Sequence, residues 1–150
     1  MKELSLKAKA IQLLARREYA CDELGQRLVA RGAAREEVRA VLDELAALGY
    51  VSDERYAKAV AIRKGGRYSR RSIAQELKAK GVPSSDIDAA MADAPVDDEA
   101  ALLALWQRRF GKAPVDERDK ARQVRFLQSR GFALSAILRL LRAAASDKTT

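Results

Sequence analysis

A chain of 150 residues with 48% hydrophobic and 33% charged residues supplies both a buried core and a solvated surface, and no apolar run approaches the ~18 residues of a membrane span. Its 29 Lys and Arg against 21 Asp and Glu leave a net charge of +8, which favours polyanionic partners. The absence of histidine removes the commonest general base and metal ligand, and the single cysteine, Cys21, excludes an internal disulfide.

With only 3 Pro and 8 Gly among abundant Ala, Leu, Arg, Glu and Lys, the chain favours helix over strand. The first helix is expected from Ser5 to about Arg17, with Leu6, Ala10, Leu13 and Leu14 forming one buried stripe. Met1 to Arg17 is amphipathic without a cleavage-type end, which together with the lone cysteine reads as a cytoplasmic protein. A second helix runs from about Cys21 to Arg31, with Leu24 and Leu28 inward and Gly32 closing it. The third places Val38, Val41, Leu42, Leu45 and Leu48 on one side and Glu37, Asp43 and Glu44 largely on the other.

Gly49 ends that helix, and Ser52 is the expected N-cap of a fourth, with Asp53 and Glu54 against its positive end. Tyr56, Ala57 and Val60 face inward there, and Gly65 and Gly66 break the helix. Ser69 caps the fifth, which carries Ile73 and Leu77 and stops at Gly81 and Pro83. Ser84 or Ser85 opens the sixth, with Ile87 and Met91. Ala94 and Pro95 link to a seventh helix over Asp97 to Phe110, carrying Leu102, Leu105, Trp106 and Phe110. A longer loop from Gly111 to Asp116 precedes the last two helices, which hold Val124, Leu127, Ile137, Leu138 and Leu141 before a polar tail after Ala145.

This order is periodic. Leu28, Leu77 and Leu127 each precede a glycine by four residues, and those glycines, Gly32, Gly81 and Gly131, lie 49 and 50 residues apart. An apolar residue follows each at +6 (Val38, Ile87, Ile137) and another at +10 (Leu42, Met91, Leu141). Such a period marks a repeat array. Three three-helix units are expected at residues 1–50, 51–94 and 95–146, with 147–150 as a frayed tail. The alignment sets Ala20 against Ser69 and Asp119, both good N-caps, so the first unit lacks a cap unless Cys21 or Asp22 supplies it.

Charge is uneven along the repeats: residues 1–52, 53–94 and 95–150 carry +1, +3 and +4. In the middle unit the excess concentrates in Arg63, Lys64, Arg67, Arg70, Arg71, Lys78 and Lys80, opposed only by Glu76. A patch of this kind attracts polyanions and releases their counterions. Tyr68, between Arg67 and Arg70 at a helix break, could stack on a partner or on its own core, whereas Tyr56, Trp106, Phe110 and Phe126 fall at core positions. For catalysis the residues offer little. Cys21 has no imidazole partner, the acidic groups Asp53-Glu54 and Asp97-Asp98-Glu99 sit where helix starts want carboxylates, and Gly65-Gly66 lacks P-loop spacing. No enzyme, cofactor or metal is expected.

Gly49-Tyr50-Val51 with Asp53, Arg55, Tyr56 and Ala57, then Arg67-Tyr68-Ser69, Ile73, Gln75-Glu76-Leu77 and Lys80-Gly81-Val82, closely resembles the RecX family of regulatory proteins. Leu13-Leu14 with Arg16-Arg17 and Glu23-Leu24 is similar to the family's opening unit, and Arg109-Phe110-Gly111, Arg125-Phe126-Leu127 and Arg130-Gly131-Phe132 to its closing one. Arg67 stands where relatives often have glycine, and Ala20 where they often have serine. The resemblance implies an all-α protein of three tandem three-helix repeats, stacked into an elongated, curved array, that binds the RecA recombinase filament and restrains it. Together with charge it adds Arg122, Arg125 and Arg130 to the middle-unit cluster and Tyr68 as contacts to RecA or filament DNA. A monomer with weak, non-specific affinity for single- or double-stranded DNA and none for membranes is expected.

Two other classes compete. A three-helix unit with a glycine turn also describes a helix-turn-helix transcriptional regulator. The helices after its turns, however, would open with Glu36-Glu37 and with Asp86 and Asp88, which DNA phosphates repel. A plain helical scaffold explains the repeats but leaves the basic cluster without a purpose.

Overall fold

The computed structural model describes residues 4–94 and 97–147; the expected linker residue Pro95 and the tail beyond 147 lie outside them. Among the described residues the chain forms nine helices and no strand: α1 (Leu6–Arg16), α2 (Cys21–Ala30), α3 (Arg35–Ala47), α4 (Asp53–Lys64), α5 (Arg70–Ala79), α6 (Ser84–Asp93), α7 (Asp98–Arg109), α8 (Glu117–Ser129) and α9 (Leu134–Asp147).

Helix starts follow side-chain chemistry. Ser5 accepts from the Ala8 N–H at 3.1 Å, Ser52 from Arg55 at 3.1 Å, Ser69 from Ser72 at 3.0 Å and Asp97 from Ala100 at 2.8 Å. At α8 the expectation fails: Asp116, not Asp119, is the N-cap, accepting from the Asp119 N–H at 2.8 Å. The additional loop residues let α8 begin a turn earlier than the repeat alignment places it, and Asp119 becomes a first-turn residue bonded to Arg122. At the other end of the chain α9 continues past Ala145 to Asp147.

Contacts divide the chain into two compact units, Met1–Ala61 with Gln75–Asp93, and Ile62–Ala74 with Ala94–Thr150. In the first, α1, α2 and α3 pack on one another around Ala10, Leu13, Tyr19, Leu24, Leu28, Val38, Leu45 and Val51. Gly25 lets α2 approach α3 closely, since a Cβ there would fall 2.9 Å from Leu42 Cδ1. Leu48, expected inward, is 58% exposed because α3 caps at that residue and turns away at Gly49. In the second unit α7 and α8 pack on α9 or beside it around Ala101, Leu102, Leu105, Trp106, Leu127, Phe132, Ile137 and Leu141. The buried Trp106 Nε1 donates to Gln123 Oε1 at 2.9 Å, which satisfies the one polar atom the indole carries inward. The middle repeat shares its residues between the two units: Tyr56, Ala57, Val60, Leu77, Ile87 and Ala90 are buried in the first, Ile73 in the second.

Candidate functional site

The structure uses one joint twice. In the first unit Asp53, the first residue of α4, reaches back and accepts the Cys21 N–H at 2.8 Å, capping α2 where Ala20 has no side chain to do so. In the second unit Asp98, the first residue of α7, accepts the Arg70 N–H at 2.8 Å at the start of α5. The carboxylates expected to serve their own helices thus serve the second helix of the preceding repeat. A glycine completes each joint. Gly81 (φ +81°) lies against Asp22, and Gly131 (φ +92°) against Ser69 and Ser72; a Cβ would fall 2.8 Å from Asp22 Cβ in one and 2.6 Å from Ser72 Cβ in the other. Both positions therefore require glycine for conformation and for space.

The electrostatics of the two joints differ at several positions: Arg17, Asp22 and Glu23 of the first correspond to Gly66, Arg71 and Ser72 of the second. In the first, Glu23 is largely buried and bonds the Arg17 guanidinium at 3.2 Å and the Lys80 ammonium at 3.1 Å, with the Ala20 N–H at 3.3 Å. Burial pushes its carboxyl up, but the bonds from Arg17 and Lys80 outweigh this and hold it below the usual glutamate range. Arg17 also lies over the Tyr19 ring at 3.6 Å. In the second joint Tyr68, Ser72 and Arg130 stand at the positions that Tyr19, Glu23 and Lys80 hold in the first, 49, 49 and 50 residues on. Serine replaces the carboxylate, and among the described residues Arg130 has no acidic partner.

Arg130 instead lies between aromatic rings, 4.7 Å from the Tyr68 centroid and 5.0 Å from that of Phe126. Lys64 is 4.8 Å from the Tyr68 ring, and Arg109 is 5.0 Å from Phe126. Phe126 meets Phe110 edge-on at 5.6 Å and 85°, and Arg122 is 5.2 Å from Phe110. The backbone holds the arrangement: the Ser69 N–H donates to the Arg130 carbonyl at 2.9 Å, and Arg108 Nη2 to the Gly66 carbonyl at 3.1 Å. The result is a ladder of alternating cations and rings, all within the second unit.

The expected contact residues separate accordingly. Lys64, Tyr68, Arg122 and Arg130 belong to the ladder, Arg122 with its guanidinium also on Asp119 at 2.9 Å. Arg63, Arg67, Arg71 and Arg125 are exposed and, like the half-buried Arg70, lie in the second unit. Lys78 and Lys80 lie in the first, Lys80 held by Glu23. Tyr68 stacks on cations of its own chain. Phe110 and Phe126, read as core, are only half-buried, and guanidinium groups lie over the faces they leave outside. Arg109 was missed, although its place before Phe110 in a unit of charge +4 was the available signal.

Cys21, half-buried at the start of α2, has its thiol pushed up by burial and then by Asp53, Asp22 and Asp43, the reverse of what a nucleophile needs. Among the described residues no group of three or more Cys, Asp or Glu could hold a metal, and no helix is long and apolar enough to cross a membrane.

Residues 52–91 match the RecX second three-helix domain and residues 97–141 the RecX third three-helix domain. The regulatory protein RecX of Chromobacterium violaceum is 43% identical over 143 residues, covering 95% of this chain and 93% of the relative. That of Leptothrix cholodnii is 39% identical over 142 residues, covering 95% and 90%. The crystal structure of RecX from Lactobacillus salivarius matches with a TM-score of 0.64 at 15% identity, covering 92% of this chain and 95% of that one; a second RecX crystal structure gives 0.67 at 21%, covering 92% and 73%. The fold agrees with both, and the sequence agreement over nearly the whole length makes this chain a member of the RecX family of regulatory proteins.

Proposed function

We propose that this protein binds the RecA–DNA filament and restrains its recombinase and ATPase activities, acting in recombination, DNA repair and the SOS response without catalysis of its own. Membership of the RecX family carries the reading, with RecA as the partner that the resemblance implies. The basic second and third repeats support it. The repeats at residues 1–50, 51–94 and 95–146 would act as a monomer spanning adjacent RecA protomers, so that modest contacts add through effective concentration. The exposed Arg63, Arg67 and Arg71 and the ladder cations meet acidic RecA surface or filament DNA. A helix-turn-helix reading fits poorly, since Glu36 and Glu37 are exposed in the first turn of α3 and Asp86 lies in the first turn of α6.

The test is RecA ATPase on single-stranded DNA with this protein titrated in. A saturable fall in turnover is expected. Unchanged turnover at saturating, folded protein would remove the reading.

A further inference from the structure

We propose that the cation–aromatic ladder of the second unit is a pre-formed binding strip for the phosphodiester backbone of DNA, with Arg130 and Arg109 as its phosphate forks. The inference deepens the functional reading above, resting on it for the presence of DNA, and names which ligand this face takes.

The internal comparison carries the argument. Two joints of the same backbone design occur in one chain, and in the first a largely buried glutamate binds both neighbouring cations. In the second the equivalent residue is Ser72, and the equivalent cation is an arginine held between two rings.

Geometry then selects the ligand. A guanidinium braced by two rings, 4.7 and 5.0 Å from its Cζ, has less rotamer freedom to lose when its planar N–H donors grip a phosphate by two bonds. Arg109 on Phe126 repeats the device, and Lys64 beside Tyr68 adds a point charge. Cations that alternate with half-buried rings suit a strand whose phosphates are separated by sugars and bases, which the rings can flank.

Binding is read by fluorescence anisotropy of labelled oligo(dT), and of a duplex of the same length, across a salt titration without RecA. Arg130→Gln and Arg109→Gln should each weaken binding about tenfold and lower the salt slope by about one. Ser72→Glu, which installs the first joint's carboxylate, should do the same, while Arg39→Gln on α3 should not. Thermal melts verify folding, and should Ser72→Glu not fold, the two arginine variants decide alone. Affinity for the duplex equal to or below that for oligo(dT) supports the assignment, the backbone being common to both. Wild-type affinity in the Arg109→Gln/Arg130→Gln double variant, competition by poly-glutamate as strong as that by oligo(dT), or no binding even at low salt would overturn it. Since RecA is absent, these failures leave the ATPase result to judge the filament reading separately.

Discussion

Among the charge differences between the two joints, Glu23 against Ser72 decides whether the neighbouring cations find a carboxylate. Glu23 ties Arg17 and Lys80 together, so Glu23→Gln leaves two cations beside each other with one neutral acceptor. Because both partners are about half exposed, the expected loss near neutral pH is modest, about 1 kcal/mol. Its pH dependence is more diagnostic. The folded-state carboxyl lies below its unfolded value, so the unfolded chain binds the proton more readily. The contribution is complete above the ordinary glutamate value of about 4.3 and is lost as pH falls through the folded value. Urea melts from pH 7 down to pH 3 should therefore show the gap between wild type and Glu23→Gln narrowing toward acid; a constant gap would mean that Glu23 acts through packing instead. Much of this scale was illegible in sequence. That Tyr68 is cationic-stacked depends on which helix end meets which, and helical periodicity carries no information about that; Leu48 turns out to solvent because α3 caps there, where the periodic stripe no longer applies.

At the scale of elements, the helices were legible almost to the residue because serine, aspartate and glycine punctuate them. Ser5, Ser52, Ser69 and Asp97 cap as their chemistry dictates. The borrowed caps were not, since a carboxylate at a helix start looks the same whether it bonds its own helix or its neighbour's. Asp98→Ala should consequently destabilise α5 rather than α7, costing about 0.5–2 kcal/mol. Hydrogen exchange would locate the loss: faster exchange in the first turn of α5 is expected, and protection lost only in α7 would refute the borrowed cap. Gly131→Ala is the harsher change. An alanine at φ +92° costs about 1–2 kcal/mol for conformation alone, and its Cβ must also displace Ser72. A loss above about 2 kcal/mol is expected in chemical denaturation, and a neutral result would mean that α8 and α5 do not meet as closely as described.

For the whole molecule, the 49- and 50-residue spacing announced the three repeats, and the RecX resemblance follows from motifs recurring in register along that frame. The third repeat departs where its loop lengthens, which is why Asp119 was mistaken for a cap that Asp116 provides. The basic cluster was visible as a charge excess but not as two populations, one in each compact unit, because charge counting ignores which cations already hold a carboxylate. The central claim, that this chain acts on the RecA–DNA filament, is tested most directly by co-sedimentation with RecA filaments assembled on single-stranded DNA. Saturable recovery of the protein in the filament pellet, exceeding that with DNA alone and weakened by Arg63→Ala with Arg71→Ala, is the predicted result; a protein that stays in the supernatant at all filament concentrations would contradict it.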